Sequence, residues 1–341
     1  MVKPSVLRFI KDQFKNLPLV TTDLTGKTVI VTGANTGLGF EIAKHFARMK
    51  PSKLILACRN MDKAERAAAE IQKDSGIGEE MVIWHLDLSS FASVNAFAVK
   101  FEAEGGGRLD LLVANAAIST FEFKRTDDGW EQSVQINHLS TALLAILLLP
   151  AQMKTPQAGQ TPRLVFVSST AHHLAVPFKD YTADNISEKL SDPDYTKQSS
   201  PMDSRYYLSK LLNVFLVRAL VAHFPSPSPV TVTSVHPGMC QSELIREIKG
   251  PIKFIANIFY AMLARTAEMG SRAVIWGALG GENDVVHGRY LDSCRVDEEN
   301  DWVLGEQGQI MQDKLWKETI EVLKKRSPQV NSIISEYLTP N

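Results

Sequence analysis

Thr32-Gly33-Ala34-Asn35-Thr36-Gly37-Leu38-Gly39 stands where one sequence pattern gives way to another. Before it, Thr28-Val-Ile-Val-Thr32 is short and β-branched, the mark of a buried strand. After it, Leu38 to Met49 carries apolar residues at helical spacing. Gly33 suits the unusual φ of a tight turn, Gly37 lets the backbone approach a pyrophosphate, and Gly39 lets helix and strand pack closely. The helix then presents free N–H groups and the positive end of its dipole to an anion. Asn35, Thr36 and Leu38 count with the glycines as cofactor-binding positions. An ordinary glycine-rich turn is the competing reading; the strand before and the helix after favour a dinucleotide cradle.

Outward from this turn, short apolar runs alternate with helical patterns. Strands are expected at Lys53–Ala57, Met81–His85, Leu109–Val113, Arg163–Val167 and Val230–Val235, with a weaker one at Gly288–Leu291. A charged, alanine-rich helix is expected over Lys63–Lys73, and Thr141–Pro150 reads as a buried helix. Such alternation predicts an α/β fold: a doubly wound (Rossmann) sheet of about seven parallel strands with helices on both faces.

The second strand ends at Ala57-Cys58-Arg59, about 20 residues beyond the glycines, where an acidic residue would accept from the 2′-OH of NAD. None is present. The Arg59 guanidinium instead suits a 2′-phosphate, favouring NADP(H), unless Arg59 is only a solvated surface charge. Asp87, in Leu86-Asp87-Leu88 after the third strand, is placed to meet the adenine ring, with Leu88 beside it.

The bulk properties narrow the classes. The 341 residues are 44% hydrophobic and 22% charged, enough for a large core. Thirty-seven basic against 38 acidic residues give a net charge of −1, which argues against nucleic acid as a partner. Cys58, Cys240 and Cys294 lie far apart, arguing against a disulfide scaffold or a cysteine zinc site. No cluster has metal-ligand spacing, so no metal is expected. No uninterrupted apolar run reaches about 18 residues, and a cytoplasmic location is expected. Residues 1–26 form an N-terminal arm with Lys3, Arg8, Lys11 and Lys15 among apolar residues. It is expected to pack on its own domain; peripheral membrane contact is the alternative.

Tyr206 and Lys210 are four apart and share a helix face. An unperturbed tyrosine titrates near pH 10, and a neighbouring ammonium favours its phenolate. Tyr207 lies three residues from Lys210 and is a rival. Joined to Thr32-Gly33-x-x-x-Gly37-x-Gly39, Tyr206-x-x-x-Lys210 resembles the short-chain dehydrogenase/reductase family, over most of the chain from Lys27 to Ser293. The phrases Leu56-Ala-Cys-Arg59, Ile136-Asn-His-Leu139 and Ser209-Lys-Leu-Leu-Asn213 look most like its retinol dehydrogenase-like branch, which includes the WW-domain oxidoreductases; fungal members of natural-product pathways also look similar.

The resemblance implies that Tyr206 exchanges the proton, Lys210 tunes it and holds the nicotinamide ribose, Ser169 polarises the substrate oxygen, and Asn137 holds a relay water. Ser168 would then line the cofactor, and His138 would serve packing. It implies cofactor contacts from Asn115, Ala116, Pro237, Gly238 and Ser242, with the Pro237–Gly238 turn packed near the nicotinamide. Two departures stand out. Ala117 follows Ala116 in Ala114-Asn115-Ala116-Ala117, where the family usually has Gly. A long insertion separates Ser169 from Tyr206, where compact members have few residues.

The motif order favours one dinucleotide-binding domain over 27–341, with a substrate loop at 170–205, a lid at 239–265 and a C-terminal extension at 294–341. The lid's Ile252, Phe254, Ile255, Ile258, Phe259, Tyr260 and Met262 suggest a greasy inner face, or simple helix packing. A small lipophilic carbonyl or alcohol is the expected substrate. A non-catalytic NADP(H)-binding regulator on the same fold is the alternative of another class. Many relatives pair through the helices bearing Asn137 and Tyr206, which makes a homodimer one option.

Overall fold

The structure is a computed structural model; it describes residues 6–155, 161–175, 184–199, 202–241 and 263–338. Its framework is a sheet of β1 (Thr28–Thr32), β2 (Lys53–Cys58), β3 (Met81–His85), β4 (Leu111–Ala114), β5 (Arg163–Val167), β6 (Thr231–His236), β7 (Tyr290–Asp292) and β8 (Arg295–Asp297). The order is β3-β2-β1-β4-β5-β6-β7-β8. The first seven run parallel, with Val31 opposite both Leu56 and Val113, and Val165 opposite both Val113 and Thr233. Strand order reverses between β1 and β4, and ligands of open α/β sheets bind in the crevice at such a point.

The seven parallel strands expected are present, and an eighth is added at the β7 edge. Among the described residues the sheet has eight strands, and β8 pairs antiparallel with β7. The two are joined by Ser293 and Cys294, both at positive φ (50° and 58°), a two-residue hairpin turn built without the usual Asn-Gly signal. The segment expected as an extension from 294 therefore begins inside the sheet.

Side chains alternate along each strand and feed two cores. Val29, Val31, Leu54 and Leu56 face α2 (Gly37–Arg48) and α3 (Met61–Ser75). Ile30, Ile55, Leu112 and Leu164 face the opposite core, lined by Phe97 and Phe101 of α4 (Phe91–Glu104) and by Leu143 and Leu147. Those leucines belong to α5 (Ser140–Met153), which continues a π turn at Gln135–Leu139. The apolar stretch Gln132–Met153 has the length and hydropathy of a membrane span, but 89% of its most apolar window is buried inside the protein, as in a core helix.

On this same face lies α6 (Arg205–Ala222), while α7 (Ala267–Leu279) packs beside α2. The C-terminal helices α8 (Glu306–Arg326) and α9 (Gln329–Tyr337) close over α6 and α5 respectively. His138 Nε2 lies 3.1 Å from Thr319 Oγ1, and His223 stacks on Trp316 at 4.6 Å. At the other end of the chain, α1 (Val6–Gln13) docks on the domain, and Leu17 and Leu24 enter the core beneath α2 and α3 at 2% and 4% exposure. Residues 6–26 of the arm are thus built into the fold.

Candidate active site

The glycine turn leaves β1 with Gly33 at φ +67° and Gly37 at φ +55°. Gly33 N–H donates to Ala57 O at 2.8 Å, tying the turn to β2. A Cβ on Gly39 would lie 2.2 Å from Gly33 O and 2.5 Å from Asn115 Nδ2, so only glycine fits there. Thr36 is the N-cap of α2 in extended backbone, yet its side chain makes no capping bond. The first N–H groups of α2 are left to an external acceptor.

Asn115 acts as a strut. Its Nδ2 donates to Thr32 O at 2.9 Å, while the Thr32 hydroxyl accepts from Asn115 N and Ala116 N, both at 2.9 Å. These bonds lock the ends of β1 and β4 together. Ala116 Cβ lies 3.1 Å from where a Gly33 Cβ would be, so the bare Gly33 makes room for it. Leu38 is half-buried, as is Asn35. Cys58, overlooked as a contact from sequence, accepts through its thiol from the backbone of Ala34 and Asn35, and burial pushes that thiol up to about 11. Arg59 is exposed beside the turn. Asp87 accepts from Ser89 N and Ser89 Oγ at 2.8 and 2.7 Å, and Leu88 is buried behind it.

On the other side of the switch point, β5 ends at Val167 and passes into Ser168 and Ser169. Ser168 is buried, its hydroxyl without a partner among the described residues. Ser169 Oγ accepts from Ala171 N at 3.1 Å and caps a short 3-10 turn, which keeps its own proton available for donation. Lys210 Nζ, 2% exposed as a residue, donates to Val167 O at 2.8 Å and lies 5.7 Å from the Tyr206 ring centre. Burial pulls the Lys210 ammonium down to about 8. Tyr207 turns toward the core lined by α4 and α5, with its ring edge-on to Tyr206 at 6.4 Å.

Asn137 sits in the π turn and is 1% exposed. Its amide accepts from Ile118 N at 2.8 Å and donates to Ile118 O at 2.8 Å and Ser209 Oγ at 3.0 Å. Ser209 in turn donates to Tyr206 O at 2.8 Å. The structure thus brings Asn137, Ser169, Tyr206 and Lys210 onto adjoining elements, with Asn137 bracing the helix that carries the Tyr–Lys pair. His138 is buried against α8, and burial holds its ring near 4, so it is a neutral packing group. Pro237 and Gly238 follow β6. Ser242, and with it most of the lid, lies outside the described residues, as do 176–183 and 200–201 of the substrate loop.

Three supports were not legible in the sequence. Arg205, beside Tyr206, is buried with its Nε 3.8 Å from Glu131. Glu131 also accepts from Ser133 N and Val134 N at the start of the Asn137 helix, so this buried pair joins the roots of both helices. His172 Nδ1 lies 2.7 Å from Ser169 O, with Asn300 N donating to its Nε2 at 3.3 Å. Burial pulls His172 down to about 3, so it is neutral, and these bonds place its proton on Nδ1. The third support is the contact of the N-terminal arm with the turn after β6. Among the described residues no three His, Cys, Asp or Glu side chains gather to hold a metal.

A family model for short chain dehydrogenases matches residues 27–183. The chain is 35% identical to the short chain dehydrogenase/reductase dmxR8 of Cryptosporiopsis sp. (strain 8999), covering 94% of this chain and 97% of that one. The chain belongs to the short-chain dehydrogenase/reductase family. It is also 34% identical to the short-chain dehydrogenase anuD of Penicillium roqueforti (strain FM164), over 97% of this chain and 86% of that one. Among solved structures it resembles a 3-ketoacyl-(acyl-carrier-protein) reductase from Brucella melitensis, solved in complex with NADH. The TM-score is 0.58, with 23% identity and coverage of 79% and 97% of the two chains. Membership makes this short-chain dehydrogenase/reductase an oxidoreductase, and it has fungal relatives.

Proposed function

We propose that the chain transfers hydride between NADP(H) and a lipophilic carbonyl or alcohol. The observation that carries this is the pair Lys210–Tyr206 at the carboxyl end of β5, across the switch point from a glycine turn that admits no Cβ at Gly39. The turn fits a dinucleotide: backbone can come close, and the unbonded Thr36 cap leaves the start of α2 for phosphate. Arg59 at the end of β2, with no acid at 57–59, favours a 2′-phosphate. The NADH held by the bacterial reductase supports the nicotinamide class; the preference for NADP(H) rests on Arg59.

When bound, the cofactor supplies or accepts hydride. The Tyr206 hydroxyl gives a proton to the substrate oxygen in reduction and takes it in oxidation. An ammonium beside a phenol favours the phenolate, which is the role of Lys210. The Ser169 hydroxyl donates to the same oxygen. Asn137, whose side-chain amide is engaged by Ile118 and Ser209, braces α6 and so helps position Lys210, alongside the relay water that the family resemblance assigns to it.

The resemblance of Leu56–Arg59, Ile136–Leu139 and Ser209–Asn213 to the retinol dehydrogenase-like branch supports retinoid-, steroid- or terpenoid-like substrates. The fungal relatives favour a second reading, a tailoring ketoreductase or alcohol dehydrogenase of a natural-product pathway. A homodimer through α5 and α6 would compete with α8 and α9, which already cover those helices, so we propose a monomer, to be checked by size-exclusion chromatography with light scattering. Contact with a membrane rests on the exposed Leu7 and Phe14 of the arm; flotation with anionic liposomes supports it if the chain rises and rejects it if the chain stays below. A cytoplasmic location remains part of this reading.

The test is a panel of lipophilic ketones with NADPH at neutral pH, followed by loss of NADPH absorbance, and repeated with NADH. Ketone-dependent NADPH oxidation that exceeds NADH oxidation supports the proposal. Equal use of both cofactors contradicts the role of Arg59. Tight NADPH binding with no turnover across the panel favours the non-catalytic regulator.

A further inference from the structure

We propose that the N-terminal helix α1 is a positioning element of the cofactor site: through Gln13, and together with Arg265, it fixes the Pro237–Gly238–Met239 turn beside which the nicotinamide end would lie. The proposal rests on the cofactor reading above.

Gln13 is the last residue of α1 and only 6% exposed. Its Oε1 accepts from Met239 N at 3.1 Å, and its Nε2 donates to Met239 O at 2.9 Å and to Leu263 O at 3.0 Å. One side-chain amide thus engages both backbone groups of Met239, as a neighbouring strand would. Arg265, 4% exposed, works from the same side. Its guanidinium donates to Pro237 O at 3.2 Å, to Ser293 Oγ at 3.1 Å, and to Asp12 O and Gln13 O. The last two are carbonyls at the end of α1, which have no partner within the helix. Arg265 N also donates to Met239 O at 2.8 Å.

Gly238 explains why the fit is close. It sits at φ +88°, and a Cβ there would lie 2.6 Å from Arg265 Nη1 and 2.8 Å from Gln13 Oε1. The two side chains pack directly on its bare Cα. The turn adjoins the catalytic side: His236, just before it, accepts from Thr170 N at 3.3 Å, one residue from Ser169.

The arm is also fastened independently of Gln13. Arg8 pairs with Asp297, Arg295 donates to Asp12 at 2.6 Å, and Leu17 is buried in the core beneath α2 and α3. Loss of the Gln13 amide should therefore release the turn and leave the helix docked.

The test uses the full chain with Gln13→Ala and Gln13→Glu; the latter keeps the acceptor for Met239 N and loses both donated bonds. Leu7→Ser, on the exposed face of α1, is the control. The readouts are hydrogen exchange at the Met239 amide without cofactor, and affinities for NADPH and for 2′,5′-ADP, which lacks the nicotinamide half. The expected result is faster Met239 exchange in Gln13→Ala and an NADPH Kd raised about tenfold in both Gln13 variants. The Kd for 2′,5′-ADP stays unchanged, and Leu7→Ser alters none of these. An unchanged NADPH Kd, or equal weakening of both ligands, overturns the proposal. A wild-type chain that binds neither ligand overturns the cofactor reading itself. If Gln13→Ala does not fold, Gln13→Glu carries the same comparison.

Discussion

The two sides of the switch point are built by different means. From β1 to β4, the geometry that matters comes from residues close in sequence or on neighbouring strands: a glycine turn, a helix start, and the Thr32–Asn115 bonds between strand ends. From β5 to β8, the same quality of positioning comes from residues far apart in the chain. Gln13 holds Met239, Arg265 holds the end of α1, Glu318 accepts from Asn185 N and Ile186 N, and His138 meets Thr319. An anion cradle can be made of backbone and a short motif. A substrate side must be framed by whatever elements the rest of the chain delivers to it.

Substitutions on each side should therefore fail in different ways. The largest effect is expected from Gly39→Ala, whose Cβ would meet Gly33 O at 2.2 Å. The turn must move, and binding of NADPH measured by its fluorescence should be lost. Retained affinity would show that the cradle is less constrained than its backbone indicates.

On the substrate side, Arg205→Met strands Glu131 in a buried site, and such a broken pair costs about 3 kcal/mol or more. Denaturant unfolding should show that loss. A change near zero would mean that the pair does not brace the two helices.

Lys210→Met separates activity from stability. It should lower kcat/KM by about a hundredfold or more, since a positioned charge at the reacting group is removed. Burial depresses Lys210 from 10.5 to about 8. Below about pH 8 both folded and unfolded chains hold the proton, and the buried charge costs roughly 3 kcal/mol. Between about 8 and 10.5 the unfolded chain binds the extra proton, so this part of the stability rises with pH. The variant should lack that rise and be more stable than wild type at pH 7 by urea unfolding. Wild-type kcat/KM should fall as pH climbs through about 8.

The smallest effect belongs to the exposed end of β2. Arg59→Gln should weaken NADPH relative to NADH by about tenfold, the size of one charge-assisted contact. Equal affinities before and after would leave Arg59 as a surface charge.

The contrast also explains what was legible in the sequence. The strands from Thr28 to His85 and the glycine turn were readable because β-branched runs and glycine spacing are local signals. Tyr206 and Lys210 were readable because four residues bring them onto one helix face. The hairpin strand β8 was missed because Arg295–Asp297 is too short to show alternation and its turn is Ser293-Cys294. The bracing role of Asn137, the Glu131–Arg205 pair and the Gln13 contact were hidden for another reason. Each depends on partners from separate segments, and no single-window pattern encodes such a meeting. The buried His172 belongs with them: from sequence it is one of two adjacent histidines, and only the fold sets it between Ser169 O and Asn300 N.

In the function proposed above, Tyr206, with Lys210 behind it, is the proton-exchanging group of an NADPH-dependent carbonyl reduction. The most direct measurement compares Tyr206→Phe and Tyr207→Phe for ketone-dependent NADPH oxidation, using a ketone that the wild-type chain reduces and confirming NADPH binding in each variant. Tyr206→Phe should bind NADPH and no longer turn over, while Tyr207→Phe should keep much of its activity. Full turnover by Tyr206→Phe with loss in Tyr207→Phe would contradict that role of Tyr206.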